Sequence, residues 1–151
     1  MAALAVLPLS MTAQTRYERT YTDSKQLSVE GTMDAAGRRD GNWRWWYPSG
    51  RISQQGTYSA GKKTGVWTVY YEDGSRMSEE CHTGNGVSRT WYHNGDLQSA
   101  VQVENGRRNG TYRSWHRNGQ VNEEIIYING SREGETHQWH PNGRLMFSGT
   151  Y

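Results

Sequence analysis

The side chains with chemistry to offer are few: five histidines, the single cysteine Cys81, and two pairs of adjacent glutamates, Glu79-Glu80 and Glu123-Glu124. On extended backbone, neighbours point to opposite faces, so each glutamate pair is divided and poorly placed for shared acid–base work. His137 and His140, three apart on a strand, are divided in the same way. His116 and His140 hold equivalent slots in adjacent hairpins, ~10 Å apart, whereas two nitrogens on one zinc lie within a few ångströms. A lone cysteine closes no internal disulfide and anchors no Cys-based zinc site. There is no G-x-S-x-G, no Walker-type glycine loop and no Cys–His constellation. No catalytic residue, metal or cofactor is expected, so function has to be sought in a surface.

That surface is built by repetition. "GNWRWWYPSG" (41–50) returns as "GVWTVYYEDG" (65–74), "GVSRTWYHNG" (86–95), "GTYRSWHRNG" (110–119) and "GETHQWHPNG" (134–143). The opening glycines Gly41, Gly65, Gly86, Gly110 and Gly134 are spaced by 24, 21, 24 and 24 residues. A degenerate first unit begins near Arg16, which makes six units over 16–151. Hydrophobic residues make up only 33% of the chain, while 12% is aromatic and Gly numbers 18 against Pro 3. That balance suits half-exposed strands and turns better than a thick core.

Each unit reads as a β-hairpin. An aromatic strand (Trp43 to Tyr47, for example) leads to a turn at Ser49-Gly50, Asp73-Gly74, Asn94-Gly95, Asn118-Gly119 or Asn142-Gly143. The turn dipeptides favour type I′. Return strands alternate, as in Ile52, Gln54, Gly56, Tyr58 and Val121, Glu123, Ile125, Tyr127. Basic turns then join the hairpins: "GRRDG" (37–41), "GKKTG" (61–65), "GRRNG" (106–110) and "GSREG" (130–134). No window has helical spacing. The expected fold is all-β, an elongated antiparallel meander of tandem hairpins in a single-sheet solenoid. The unit from Gly65 is three residues short and the next has Ser88 where Trp43 and Trp67 stand, so the sheet should thin or bulge around 76–88.

The stretch "MAALAVLPLSMTAQ" (1–14) is apolar and uncharged, unlike the rest, and reads as a secretory signal or else a disordered N-terminus. Export would place the protein in the periplasm or outside the cell; without it the expectation is cytoplasmic.

The pattern G-x-W-x-x-Y-Y-x-[ND]-G-x-[LIVM] resembles the MORN-repeat variant family of bacteria, whose members are frequently labelled YwqK-type antitoxins. Gly41/Trp43/Trp46/Tyr47/Gly50, Gly65/Trp67/Tyr70/Tyr71/Gly74 and Gly86/Trp91/Tyr92/Asn94/Gly95 carry the resemblance. Departures are Ser88 and Thr136 at the first aromatic slot and His116 and His140 at the third. The resemblance implies a non-enzymatic β-sheet repeat used for binding, and an antitoxin or immunity role as one instance.

Two surfaces are candidates for that binding. Arg44, Trp46, Arg89, Trp91, Arg113, Trp115, His137 and Trp139 fall on one strand face, where arginine beside tryptophan suits a protein or other anionic or π-rich partner. Arg38, Arg39, Lys62, Lys63, Arg107, Arg108 and Arg132 form a basic edge suited to phospholipid headgroups or acidic glycan. A net charge of +2 and a secretory reading both disfavour nucleic acid. Exposed strands at the array ends would allow end-to-end self-association.

Overall fold

Alternating side chains, interrupted by a glycine turn roughly every dozen residues, make the chain fold back on itself repeatedly. The computed structural model describes residues 16–21 and 27–151, which form twelve strands in one antiparallel sheet whose order follows the sequence. The hairpins are β1 (Arg16–Tyr21) with β2 (Leu27–Met33), β3 (Arg39–Trp46) with β4 (Ile52–Ser59), and β5 (Lys62–Tyr70) with β6 (Arg76–Cys81). They continue with β7 (Gly86–Trp91) and β8 (Leu97–Glu104), β9 (Arg107–Trp115) and β10 (Val121–Ile128), and β11 (Ser131–Trp139) and β12 (Leu145–Thr150). Among the described residues there is no helix. This is the all-β meander the repeat implies. The expected signal at 1–14 lies outside the described residues.

The turns differ from their expected types. At Ser49-Gly50, Asp73-Gly74 and Asn94-Gly95 only the glycine has positive φ (83°, 93° and 89°). The Gly50 N–H donates to the Tyr47 carbonyl at 2.9 Å and the Tyr47 N–H to the Arg51 carbonyl at 2.8 Å. That is a three-residue loop, a type I turn closed by a left-handed glycine. At Asp73 and Asn94 the side chain before the glycine also caps the loop. Asp73 Oδ1 accepts from the Ser75 hydroxyl at 2.6 Å and the Ser75 N–H at 2.8 Å. Those bonds, the hydroxyl first, hold the Asp73 carboxyl below its ordinary value. Two-residue turns with positive φ at both positions occur instead between hairpins, at Ala60-Gly61, Asn105-Gly106 and Asn129-Gly130.

One face of the sheet, the core face, carries the buried residues in two clusters. The first holds Val29, Trp43 and Trp67, with Met33, Trp45 and Tyr58 against them. Trp43 and Trp67 are 0% and 1% exposed, although the described residues form no second layer over the sheet. Their burial comes from lying flat on a glycine of the preceding strand. A Cβ at Gly31 would stand 2.2 Å from the Trp43 ring, and one at Gly56 2.3 Å from the Trp67 ring. The Trp43 indole N–H donates to the Thr32 carbonyl at 2.9 Å and that of Trp67 to the Thr57 carbonyl at 3.1 Å. Tyr58 meets Trp67 edge-on at 4.9 Å between centroids. Long cationic side chains then close the top, Arg39 at 4.4 Å over Trp43 and Lys63 at 4.3 Å over Trp67.

The second cluster, Val101, Ile125 and Tyr127 with Tyr112, solves the same packing problem with different shapes. Tyr112 lies beside Val101, and Thr136 beside Ile125, where the first cluster sets tryptophan beside glycine. Between the clusters the row breaks. There β6 and β7 are in register at only two pairs, Ser78 with Thr90 and Glu79 with Arg89, which is the thinning expected around 76–88.

A second ladder runs along the turn ends. Tyr47 Oη donates to the Tyr70 carbonyl at 2.6 Å, Tyr71 Oη to the Trp91 carbonyl at 3.1 Å, and Tyr92 Oη to the Trp115 carbonyl at 2.7 Å. His116 continues it with Nε2 2.8 Å from the Trp139 carbonyl. A carbonyl only accepts, so His116 Nε2 carries a hydrogen and replaces the tyrosine hydroxyl. His116→Tyr should therefore keep full stability in urea unfolding while His116→Phe loses about 1 kcal/mol. Equal stability of the two variants would show that the bond contributes nothing.

Candidate protein-binding face

The face opposite the buried tryptophans, the outer face, carries the arginines and tryptophans singled out in the sequence. Cross-strand register sets Glu30, Arg44, Gln55 and Thr68 in one line across β2 to β5. The line continues through Glu79, Arg89, Ala100, Arg113, Glu124 and His137 to Ser148 on β12. Acids and bases share the line, and each of Arg44, Arg89 and Arg113 has a glutamate on an adjacent strand. Arg113 hydrogen-bonds Glu124. Glu79 takes Arg76 Nη1 at 3.2 Å and Arg89 Nη1 at 3.9 Å. Arg44, exposed, stands opposite Glu30. Arg89 and Arg113 are thus already engaged by carboxylates of their own sheet, which leaves less positive charge than the arginines alone suggest.

The tryptophans of this face end the strands and are half-buried: Trp46, Trp91, Trp115 and Trp139. Arg76 reaches over Trp91 at 6.0 Å, and His137 stacks on Trp139 with centroids 5.7 Å apart and an interplanar angle of 23°. Arg113 and Trp115 line one shallow hollow of about 310 Å³, floored by Val87, Ala100 and Thr111. The structure thus places Arg113 with Trp115 and His137 with Trp139, as strand alternation requires. Val66, Ile126 and Ile128 add exposed apolar surface to this face, 53%, 42% and 53% exposed. They were readable in the sequence: if Ile125 and Tyr127 point inward, Ile126 and Ile128 must point outward.

The basic edge is divided by the same alternation. Arg39, Lys62 and Arg107 begin strands and do not stand in free turns; before Lys62 and Arg107 the turns are only two residues long, which leaves the cations inside the ladder. Arg39, Lys63, Arg108 and Arg132 lie over rings of the core face. Arg108 is 5.3 Å from the Tyr127 centroid and Arg132 5.7 Å from that of Tyr151. Hydrogen bonds to the Tyr127 and Tyr151 hydroxyls hold the Arg132 guanidinium above its ordinary pKa. Arg38 is bound to Asp34 at 2.7 Å, and the Arg38 backbone N–H leads the contacts that lower the Asp34 carboxyl. Lys62 and Arg107 are exposed. A continuous free cationic row is therefore not what the fold presents.

At the break in the core face a cavity of about 320 Å³ opens among Glu80, His82, Ser88, Val101, Arg108 and Tyr112. Ser88 supplies no ring, and its hydroxyl accepts from the Cys81 N–H at 3.0 Å. His82 Nε2 lies 3.4 Å from Glu80 Oε2 yet is buried without a hydrogen bond. Cys81 is buried. Among the described residues no three His, Cys, Asp or Glu side chains gather where one metal ion could be held.

No curated protein matches the chain. The MORN repeat variant family model matches residues 39–60, 63–82 and 108–129. Those stretches cover the hairpins that open with Trp43, Trp67 and Tyr112, whereas the hairpins with Ser88 and Thr136 in that slot fall outside them. The hairpins that place a ring against the preceding strand are the ones that the family model matches.

Proposed function

We propose that the protein is a non-enzymatic binding sheet whose outer face docks a protein partner. Repeats of this kind generally serve as binding modules, which supports the coarse role. The observation that carries the protein partner is the mixture on the outer face. Half-buried Trp91, Trp115 and Trp139 stand on one side of the row that holds Arg89 and Arg113, already balanced by Glu79 and Glu124, and exposed Ile126 and Ile128 lie on the other side of it. A charge-balanced, aromatic, partly apolar surface matches protein interfaces better than it matches a polyanion. Neutralising a toxin, as the resemblance to bacterial antitoxin-like repeats implies, is one instance of this role. If segment 1–14 is an export signal, that partner is met outside the cytoplasm.

Crosslinking in the native host tests the reading. Trp91→Ala and Trp115→Ala should each reduce partner capture about thirtyfold or more, the loss typical of an interface anchor. Both variants should keep the wild-type circular dichroism. Unchanged capture by the pair would remove the outer face from consideration. A second reading, binding of anionic lipid or glycan, has Lys62 and Arg107 in its favour, since both are exposed. It requires affinity that falls steeply between low and moderate salt and weakens on Lys62→Glu. The protein-partner reading expects neither.

A further inference from the structure

In three hairpins the core-face ring comes with a cation that closes over it, and in the hairpin at the break both are replaced. The ring stands two residues after the opening glycine and the cation two before it. Arg39 and Trp43 flank Gly41 in this way, Lys63 and Trp67 flank Gly65, and Arg108 and Tyr112 flank Gly110. Around Gly86 the same two positions hold Gly84 and Ser88. The preceding strand differs as well. Glu80 pairs with Trp67 as Gly56 pairs with Trp43, so a carboxylate stands where the first cluster has the glycine beneath a ring.

Loss of a ring does not by itself open a space. Thr136 also stands in a ring position, yet Ile125 on the preceding strand packs beside it and both are 2% exposed. Beside Ser88 the preceding residue is Glu80, whose side chain is 57% exposed, and the cavity of about 320 Å³ opens there instead. Buried Val101 and the Tyr112 ring give it apolar walls.

Its polar groups lack a donor. Among the described residues Glu80 accepts no hydrogen bond, and His82 Nε2, 3.4 Å from Glu80 Oε2, is buried without one. An ammonium has three donors and no acceptor. Set between the two side chains, it would serve the carboxylate and, in the Nδ1–H tautomer, the imidazole nitrogen together. Arg108, the cation already on the cavity wall, is committed elsewhere. It lies 5.9 Å from the Tyr112 centroid and 5.3 Å from that of Tyr127, with Nη1 3.2 Å from Tyr127 Oη.

We propose that this cavity binds a small arylalkylamine, a ligand of one or two fused aromatic rings carrying a primary ammonium. The ligand supplies the ring and the cation that this repeat does not. Its ring takes the space beside Ser88 against Val101 and Tyr112, and its ammonium pairs with Glu80 and His82. A volume of about 320 Å³ is at the small end of ligand pockets, which sets the size limit. The site lies on the core face and is independent of the protein docking proposed for the outer face.

Isothermal titration calorimetry of the full chain with tryptamine tests it and should show one saturable site. Glu80→Gln keeps the size of an exposed side chain, removes its charge and should weaken binding at least tenfold. Ser88→Trp fills the cavity and should abolish binding; if that variant fails to fold, Glu80→Gln still decides. Indole-3-propionate has the same ring and the opposite charge, and propylamine has the ammonium without the ring. Each should bind at least tenfold more weakly than tryptamine. Trp115→Ala should leave tryptamine binding unchanged, which separates this site from the outer face. Absence of saturable tryptamine binding, equal affinity of Glu80→Gln, or equal binding of either control compound overturns the proposal. So does tighter binding of the capped dipeptide acetyl-Trp-Lys-amide than of tryptamine, which would assign the cavity to a peptide.

Discussion

Gly56→Ile should destabilise the protein by about 3–5 kcal/mol, as much as removing a buried tryptophan outright. The added Cβ would stand 2.3 Å from the Trp67 ring, so the ring must leave its seat and lose its bond to the Thr57 carbonyl. Trp67→Thr alone should cost a similar amount by leaving the glycine uncovered. The double variant copies the Ile125–Thr136 pair of the second cluster and should recover part of the loss, with a coupling of ~2 kcal/mol. Urea unfolding of the four proteins measures it. Losses that simply add would mean that the two clusters are not alternative solutions to one packing problem.

The break between the clusters has a consequence for cooperativity. Trp67→Ala should speed amide exchange in 27–81 by two to three orders of magnitude and leave 97–151 nearly unchanged. Ile125→Ala, which loses about 2–5 kcal/mol from a side chain only 2% exposed, should do the reverse. In a one-dimensional array stability passes from unit to unit through shared interfaces, and the β6–β7 interface holds two register pairs, its ring contact, Tyr71 with His93, being confined to the turn end. Segment-resolved hydrogen exchange reads both variants. A uniform change across the sheet in either would mean that the break couples as strongly as the intact interfaces do.

Strand alternation made much of the surface legible. Once the repeat is seen, Trp43 and Trp67 must share a face, and Arg113 and Trp115 the opposite one. What stayed hidden was the state of the charges. Glu124 lies 11 residues from Arg113 in the chain, and only the register of β9 on β10 brings them together. The basic pairs looked like a solvated edge because their turns appeared to contain them. The true turns at Ala60-Gly61, Asn105-Gly106 and Asn129-Gly130 are two residues long, so the cations enter the strands and half of them fold back onto rings.

Sequence alone determined the architecture: a period of about 24 residues, aromatic strands and glycine turns admit one meander, because every unit must offer its neighbour the same edge. It also determined which residues face which way, since a strand alternates whatever it packs against. The tertiary structure decided which side chains are spent within the molecule. Whether a ring finds a glycine beneath it, or a guanidinium finds a carboxylate, depends on contacts across strands that sequence spacing does not encode.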